Sequence, residues 1–420
     1  MVDRDVTATA TRGRSGIDPA LIVILGGVSA ALHVGKLPAA LPALQAAMSI
    51  SLVQAGFLLS LVQLAGMTLG LGVGLAADGL GLRRSMLAGL LILAGAGALG
   101  GRAQDASGLL WLRAVEGFGI LLAVTPAPSL IRRLVQPQRL ATMLGLWGAY
   151  MPLGTSLALL TGPLVIGLMG WQGWWWLVAG MSLAAAVLLM LSVPPDEPLR
   201  LKLVNPPEAR RVQSEPGHVW QERLRQTLSS RGPWLVALSF AVYSGQWLAV
   251  VGFLPSIYAQ AGVSGTLTGV LTALAAAVNM VGNIASGRLL QRGAQPQWLL
   301  YGGFAAMGMG ALLAYAAIGG VALPPAARYA AVLMFSMLGG LIPGTLFSLA
   351  VRLAPNDRTV STTVGWMQQC SGFGQFAGPP LVAWVASRVG GWEWTWAVTG
   401  TCSVAGIFLA RSISRLRLAQ

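Results

Sequence analysis

Residues 52–84 read LVQAGFLLSLVQLAGMTLGLGVGLAADGLGLRR. The first twenty-six carry no Asp, Glu, Lys or Arg; one acid, Asp78, and a basic pair, Arg83 and Arg84, then follow within seven residues. At 1.5 Å of rise per residue, a helix needs roughly 20 mostly apolar residues to cross a hydrocarbon core of about 30 Å. The stretch reads as a membrane span that ends abruptly at an aqueous face.

Working outward, the same texture fills the chain. Of 420 residues, 55% are hydrophobic and only 10% charged, against about 25% charged in a soluble domain. Segments 20–35, 85–101 and 177–193 are also free of formal charge. Apolar blocks fall at 20–47, 52–77, 85–101, 107–131, 141–167, 172–193, 234–259, 265–287, 297–320, 326–351, 359–386 and 395–411, which predicts an all-α membrane protein of about twelve spans. The polar start of the chain does not read as a cleavable signal.

Basic residues set the expected orientation. Of 27 Lys and Arg, 22 lie before the first block, after the last, or in alternate gaps between them, including Arg83, Arg84, Arg132, Arg133, Arg288, Arg292 and Arg352. The other gaps hold Arg102, Arg328 and Arg388, while Lys36 and Arg113 lie inside blocks. The positive-inside rule then puts both termini in the cytoplasm. The expected division is a tail over 1–19, a six-helix bundle over 20–193, a cytoplasmic linker over 194–233, a second bundle over 234–411 and a tail over 412–420. Within the linker, 219–228 is expected to form a short interfacial helix.

The net charge of +14 is scattered over short gaps rather than gathered on one stripe, which argues against nucleic-acid binding. Two Cys and two His give no metal-ligand spacing, so no metal or cofactor is expected. No Walker loop is present for ATP-driven transport. An enzyme would need a nucleophile, base or metal cluster that the sequence does not offer. A sensor would need a soluble output domain, and the longest polar stretch is about forty residues.

The halves echo each other. Leu41-Pro42 recurs as Leu254-Pro255, Gly56 as Gly269 and Gly74 as Gly287, all at an offset of 213; Gly162-Pro163 recurs as Gly378-Pro379 at 216. The Trp171–Trp176 cluster is matched by Trp392, Trp394 and Trp396, in gaps expected outside, where indoles suit a membrane interface. Parallel duplication about an axis along the membrane normal is a recurrent transporter plan.

Three segments resemble the major facilitator superfamily. Gly74, Asp78, Gly81, Arg83 and Arg84 follow its Gly–Asp–Gly–basic signature after the second span, with Gly79 where a basic residue is usual; Gly287, Arg288 and Arg292 form a second copy without the acid. Arg113 and Gly117 match the family's Arg-x-x-x-Gly in the fourth span, which the resemblance links to proton-coupled transport. Pro152, Gly154, Gly162 and Pro163 are similar to the antiporter signature of the fifth span, although Ala158 and Ile166 stand where Gly is usual. The Trp366–Pro380 run and Gly282-Asn283 through Leu289 resemble the cyanate-permease-like group. The resemblance implies the major facilitator fold and a gating role for Gly74, Asp78, Gly81, Arg83, Arg84 and Arg292.

Charge inside a span costs about 2.5–3.5 kcal/mol on insertion scales, so each such residue is a functional candidate. Lys36, with His33 one turn earlier, is expected to face a cavity and anchor substrate; Glu116, paired with Arg113, is expected to couple protons or to form a structural pair. The second half offers Tyr243, Gln246, Trp247, Asn279, Gln368 and Gln369 as substrate ligands or as interhelical glue. Lys36, Arg113 and Glu116 together carry one surplus positive charge, which favours a small organic or inorganic anion. The expected function is a monomeric, proton-coupled carrier in a bacterial inner membrane, binding a small anionic molecule, protons and lipid. A drug exporter is the alternative, and a sensor without transport the alternative of another class.

Overall fold

A computed structural model describes residues 18–136, 139, 143, 146–196, 216–318, 321–356 and 359–418. Among them, helices α1 Pro19–Met48, α3 Leu82–Gly100, α4 Ala106–Leu134, α7 Arg231–Gln260, α8 Gly265–Gln291, α9 Pro296–Tyr315, α10 Pro325–Arg352 and α12 Thr395–Leu418 follow the expected blocks. Helix α2 runs over 52–80 with a 3-10 turn at Leu61–Gln63. The 43-residue run Tyr150–Ser192 breaks at Gly170 (φ 72°) into α5, 150–169, and α6, 171–192. Helix α11, Val360–Val389, is 30 residues long but carries Gln368, Gln369 and Gln375, which lower its hydropathy below that of the other spans. Among the described residues, ten runs are apolar and long enough to cross a membrane; dividing Tyr150–Ser192 and adding α11 gives twelve spans.

Local chemistry fixes the helix ends. Asp18 caps α1, accepting from Ala20 N at 3.0 Å, with Pro19 at the first helical position. Ser51 and Gln54 form a reciprocal capping box on α2. Asp105 caps α4 through Gly108 N at 2.6 Å. Helical pairing satisfies the backbone internally, as a lipid environment demands, so side chains such as Leu99, Leu168 and Leu191 can face outward at no polar cost.

Some expected boundaries need correction. The block over 297–320 stops at Tyr315, because Ala316 turns extended (ψ 139°) and Ala317–Ile318 pairs antiparallel with Val321–Ala322. Residues 412–418, expected as tail, extend α12. In the linker, Pro216–Ser229 is helical and Arg231 already belongs to α7; the tail over 1–17 and linker residues 197–215 lie outside the described residues. The second span, expected to end at residue 77, stays helical to Leu80 and is separated from the next helix by one residue, Gly81 (φ 92°). A left-handed glycine reverses the chain without a loop.

Packing divides by bundle. One apolar cluster joins Val23, Met86, Leu90, Ile131 and Leu189 of the first half; another joins Val236, Phe304, Phe335, Leu349 and Ile413 of the second. A third crosses the boundary. It combines Leu37, Leu41, Leu58 and Leu59 with Ala249, Phe253 and Val382, at the end carrying the α1–α2 and α7–α8 turns. Glycines permit this approach: a Cβ at Gly56 would stand 2.9 Å from Pro380 Cα, and one at Gly372 2.9 Å from Met67 N.

Candidate functional site

The intramembrane charges gather in one place, built from α1, α2, α4 and α6. Lys36 lies midway along α1 and its ammonium bonds Glu116 Oε1. Arg113, one turn before Glu116 on α4, bonds Glu116 Oε2 at 2.5 Å. The same guanidinium reaches His33 O at 2.8 Å and Leu58 O at 3.3 Å, just before the 3-10 turn of α2. Lys36 Nζ lies 3.1 Å from His33 Nδ1, and His33 Nε2 lies 2.9 Å from Ser182 Oγ on α6. Ser182 continues to Ser29 Oγ at 2.9 Å. Trp174 Nε1 bonds Lys36 O at 3.0 Å, and the Trp175 ring centroid lies 4.8 Å from Lys36 Nζ.

This cluster is dry. His33 and Lys36 are 0% exposed, and Arg113 and Glu116 1%. Buried charge is tolerable only when paired and hydrogen-bonded, and here one carboxylate answers two cations. Arg113 Nη2 and Trp175 Nε1 are buried without a hydrogen-bond partner among the described residues. The expectation of a cavity-facing Lys36 is corrected: its partners are on α4 and α6, inside the first bundle. It is not a free anchor in this conformation, because Glu116 already holds it.

The second bundle has its own polar group. Asn279 Nδ2 donates to Ser336 O at 2.8 Å and to Tyr243 Oη at 3.1 Å, and Asn283 Nδ2 donates to Asn279 Oδ1 at 2.9 Å. Trp247 Nε1 donates to Ser336 Oγ at 3.1 Å. Gln246 accepts from Ser403 Oγ on α12 at 3.1 Å, and its Nε2 is a buried donor without a partner among the described residues. Helices α8 and α10 meet here, each tightening by one residue while staying right-handed helical, at Val278 (φ −62°, ψ −19°) beside Asn279 and at Gly340 (φ −60°, ψ −18°), where a Cβ would overlap Asn279 O.

The remaining candidates sit elsewhere. Gln368 is exposed, and Gln369 Cβ lies 3.7 Å from the Cβ position of Gly70 on α2, across the bundle boundary. Gly154 and Gly162 bring α5 onto Ala31 and Ala39 of α1, and Pro163 meets Gly269 of α8; Pro152 is buried in the first turn of α5. At the α2–α3 break, the Asp196 carboxylate accepts from Arg83 N at 3.1 Å and Arg84 N at 3.0 Å, capping α3, while Arg83 Nη2 donates to Met190 O at 2.6 Å. The side chain of Asp78, expected in the gate, lies outside the described residues. Arg292 closes α8 as its C-cap, followed by Gly293 at φ 88°. A groove of about 530 Å³ lies between the start of α7 and the end of α12, lined by Arg231, Trp234 and Arg415, and by none of the residues of either polar cluster.

Comparison with known proteins decides the family. The model of the Major Facilitator Superfamily matches residues 23–372. The chain belongs to that superfamily. It is a multi-pass membrane transporter working by alternating access between two bundles. Among solved structures, a bacterial homolog to the human lysosomal transporter Spinster, inward-facing and occupied, aligns over 94% of this chain and 96% of its own at 15% identity and a TM-score of 0.76. A D-xylose–proton symporter aligns over 93% and 96% at 14% identity and a TM-score of 0.70. At such identities these likenesses concern the fold. A search of curated proteins found no match.

Ser29, Ser182 and Trp175 were missed by sequence reasoning. Uncharged polar residues are common in spans, and Ser182 lies 149 residues from His33. A shared polarity at one depth was the available signal, and it needs the helix register to be read.

Proposed function

We propose that this transporter is proton-coupled, carries a small organic or inorganic anion, and resembles the cyanate-permease-like carriers in its α11 run. The observation that carries this reading is Glu116, a buried carboxylate held between Lys36 and Arg113. Movement that parts the carboxylate from either cation changes the proton affinity of the whole cluster, which is the linkage coupling requires. The surplus cation and the unpartnered Arg113 Nη2 favour a negative guest. In the second bundle, Tyr243, Gln246, Trp247 and Asn279 supply neutral donors and aromatic surface for the rest of the molecule.

Identity of the anion is tested by a thermal-shift screen of small inorganic anions and carboxylates on purified protein, since a ligand that binds only the folded state raises its melting temperature. Uptake of each hit into proteoliposomes under a pH gradient tests coupling. Failure of every anion to stabilise the protein, with stabilisation by neutral or cationic compounds, would sink the anion reading. Both termini are proposed to face the cytoplasm of a bacterial inner membrane. Reporter fusions after Gln104 and Gly391 should then read outside, and those after Arg211 and Gln420 inside.

A further inference from the structure

Two groups converge on Glu116 Oε1. Lys36 Nζ bonds it, and His33 Nδ1 lies 3.3 Å from it. Lys36 Nζ also lies 3.1 Å from His33 Nδ1. An ammonium carries donors only, so Nδ1 accepts from Lys36 and holds no proton. His33 Nε2 therefore carries the proton of the neutral ring and donates to Ser182 Oγ, which shares a further hydrogen bond with Ser29 Oγ. Nδ1 and Oε1 are then both acceptors, and their 3.3 Å approach is no hydrogen bond. It becomes one as soon as Nδ1 is protonated.

We propose that His33 carries the coupling proton, replacing Lys36 on Glu116 Oε1 when Lys36 departs. This rests on the proton-coupling reading of the same cluster. Nδ1 takes one proton from a solvent hydronium ion: an O–H bond of hydronium breaks and leaves water, one N–H bond forms, and the neutral imidazole becomes imidazolium. Arg113 stays on Oε2, so one cation replaces another and Glu116 is never left with a single partner. The charged groups that meet His33 are Lys36 on its own helix and Glu116 and Arg113 on α4; α6 brings the hydroxyl of Ser182, and α3 backs the ring with Gly97. The Ser182–Ser29 chain fixes the ring so that Nδ1, and not Nε2, is the nitrogen presented to Glu116.

His33 and His218 are the two histidines of the chain, so His218→Gln leaves one imidazole to observe. Nitrogen-15 NMR of histidine-labelled His218→Gln protein at pH 7, in lipid nanodiscs, is expected to show the neutral ring protonated at Nε2. Adding Lys36→Met should convert it to imidazolium, with the Nδ1 resonance moving from the unprotonated to the protonated position. Adding Lys36→Arg should leave the neutral ring, because a guanidinium also only donates. A native ring protonated at Nδ1 overturns the proposal. So does a ring that stays neutral at pH 7 in the folded Lys36→Met protein. The spectrum needs no substrate, so its outcome is separate from that of pH-driven uptake by the native protein, whose absence would instead sink the coupling reading.

Discussion

At the residue scale, Lys36, Arg113 and Glu116 are unequal partners. Glu116→Gln leaves two buried cations facing an amide, and breaking a buried pair in this way costs about 3–5 kcal/mol. Lys36→Met leaves Arg113 on Oε2 and His33 beside Oε1, so its loss should stay below about 1 kcal/mol. Thermal melting of the purified variants should therefore place Glu116→Gln far below the native protein and Lys36→Met close to it; the reverse order would show that Lys36, not Glu116, is the hub. All four members of this cluster's charged and titratable set were legible in the sequence, because charge is rare and costly inside an apolar block. Their arrangement was not. Whether Lys36 turned toward a cavity or toward α4 depended on the rotation of α1, which hydrophobic periodicity could not fix in a helix apolar on nearly every side: 21 of its 30 residues are buried.

At the element scale, the twelve blocks came through because length and lack of charge are properties of each segment alone. The close crossing of α8 and α10 did not, since nothing in Val278-Asn279 itself marks the residue whose carbonyl meets Gly340 of another helix. The cap on α3 was hidden for the same reason: Asp196 lies 113 residues from Arg83. Removing a helix-capping carboxylate costs about 0.5–2 kcal/mol. Asp196→Ala should lower the melting temperature by that equivalent and loosen the α2–α3 break, seen as faster amide exchange at Arg83 and Arg84. Unchanged exchange there would mean that Gly81 alone shapes the turn. Asp78→Asn, in the adjacent last turn of α2, is expected to slow transport with little loss of folded yield, as a gating role implies and a capping role for Asp196 leaves open.

At the scale of the whole molecule, the bundles meet over a seam sealed at the end of the α1–α2 and α7–α8 turns, and each keeps an apolar core of its own. Enlarging a glycine should therefore have opposite consequences in two places. Within the second bundle, a Cβ at Gly374 would overlap the Ala241 carbonyl, so Gly374→Leu should weaken folding, read as a lower melting temperature. At the seam, Gly56→Leu would press on Pro380, whose Cα lies 2.9 Å from the position of the new Cβ. Overpacking costs typically 1–3 kcal/mol, but here the strain is relieved by parting the bundles rather than by unfolding either one. A bias of that size shifts a two-state equilibrium by roughly 5- to 150-fold, toward the conformation open at this end. Spin labels at Ser51→Cys and Gly262→Cys, with Cys370 and Cys402 replaced by Ser, would report the separation of the two turns. A longer distance in Gly56→Leu, with melting near native, is the expected result. An unchanged distance with reduced melting would show that the seam behaves as one continuous core, and the two bundles would then not move as separate bodies about it.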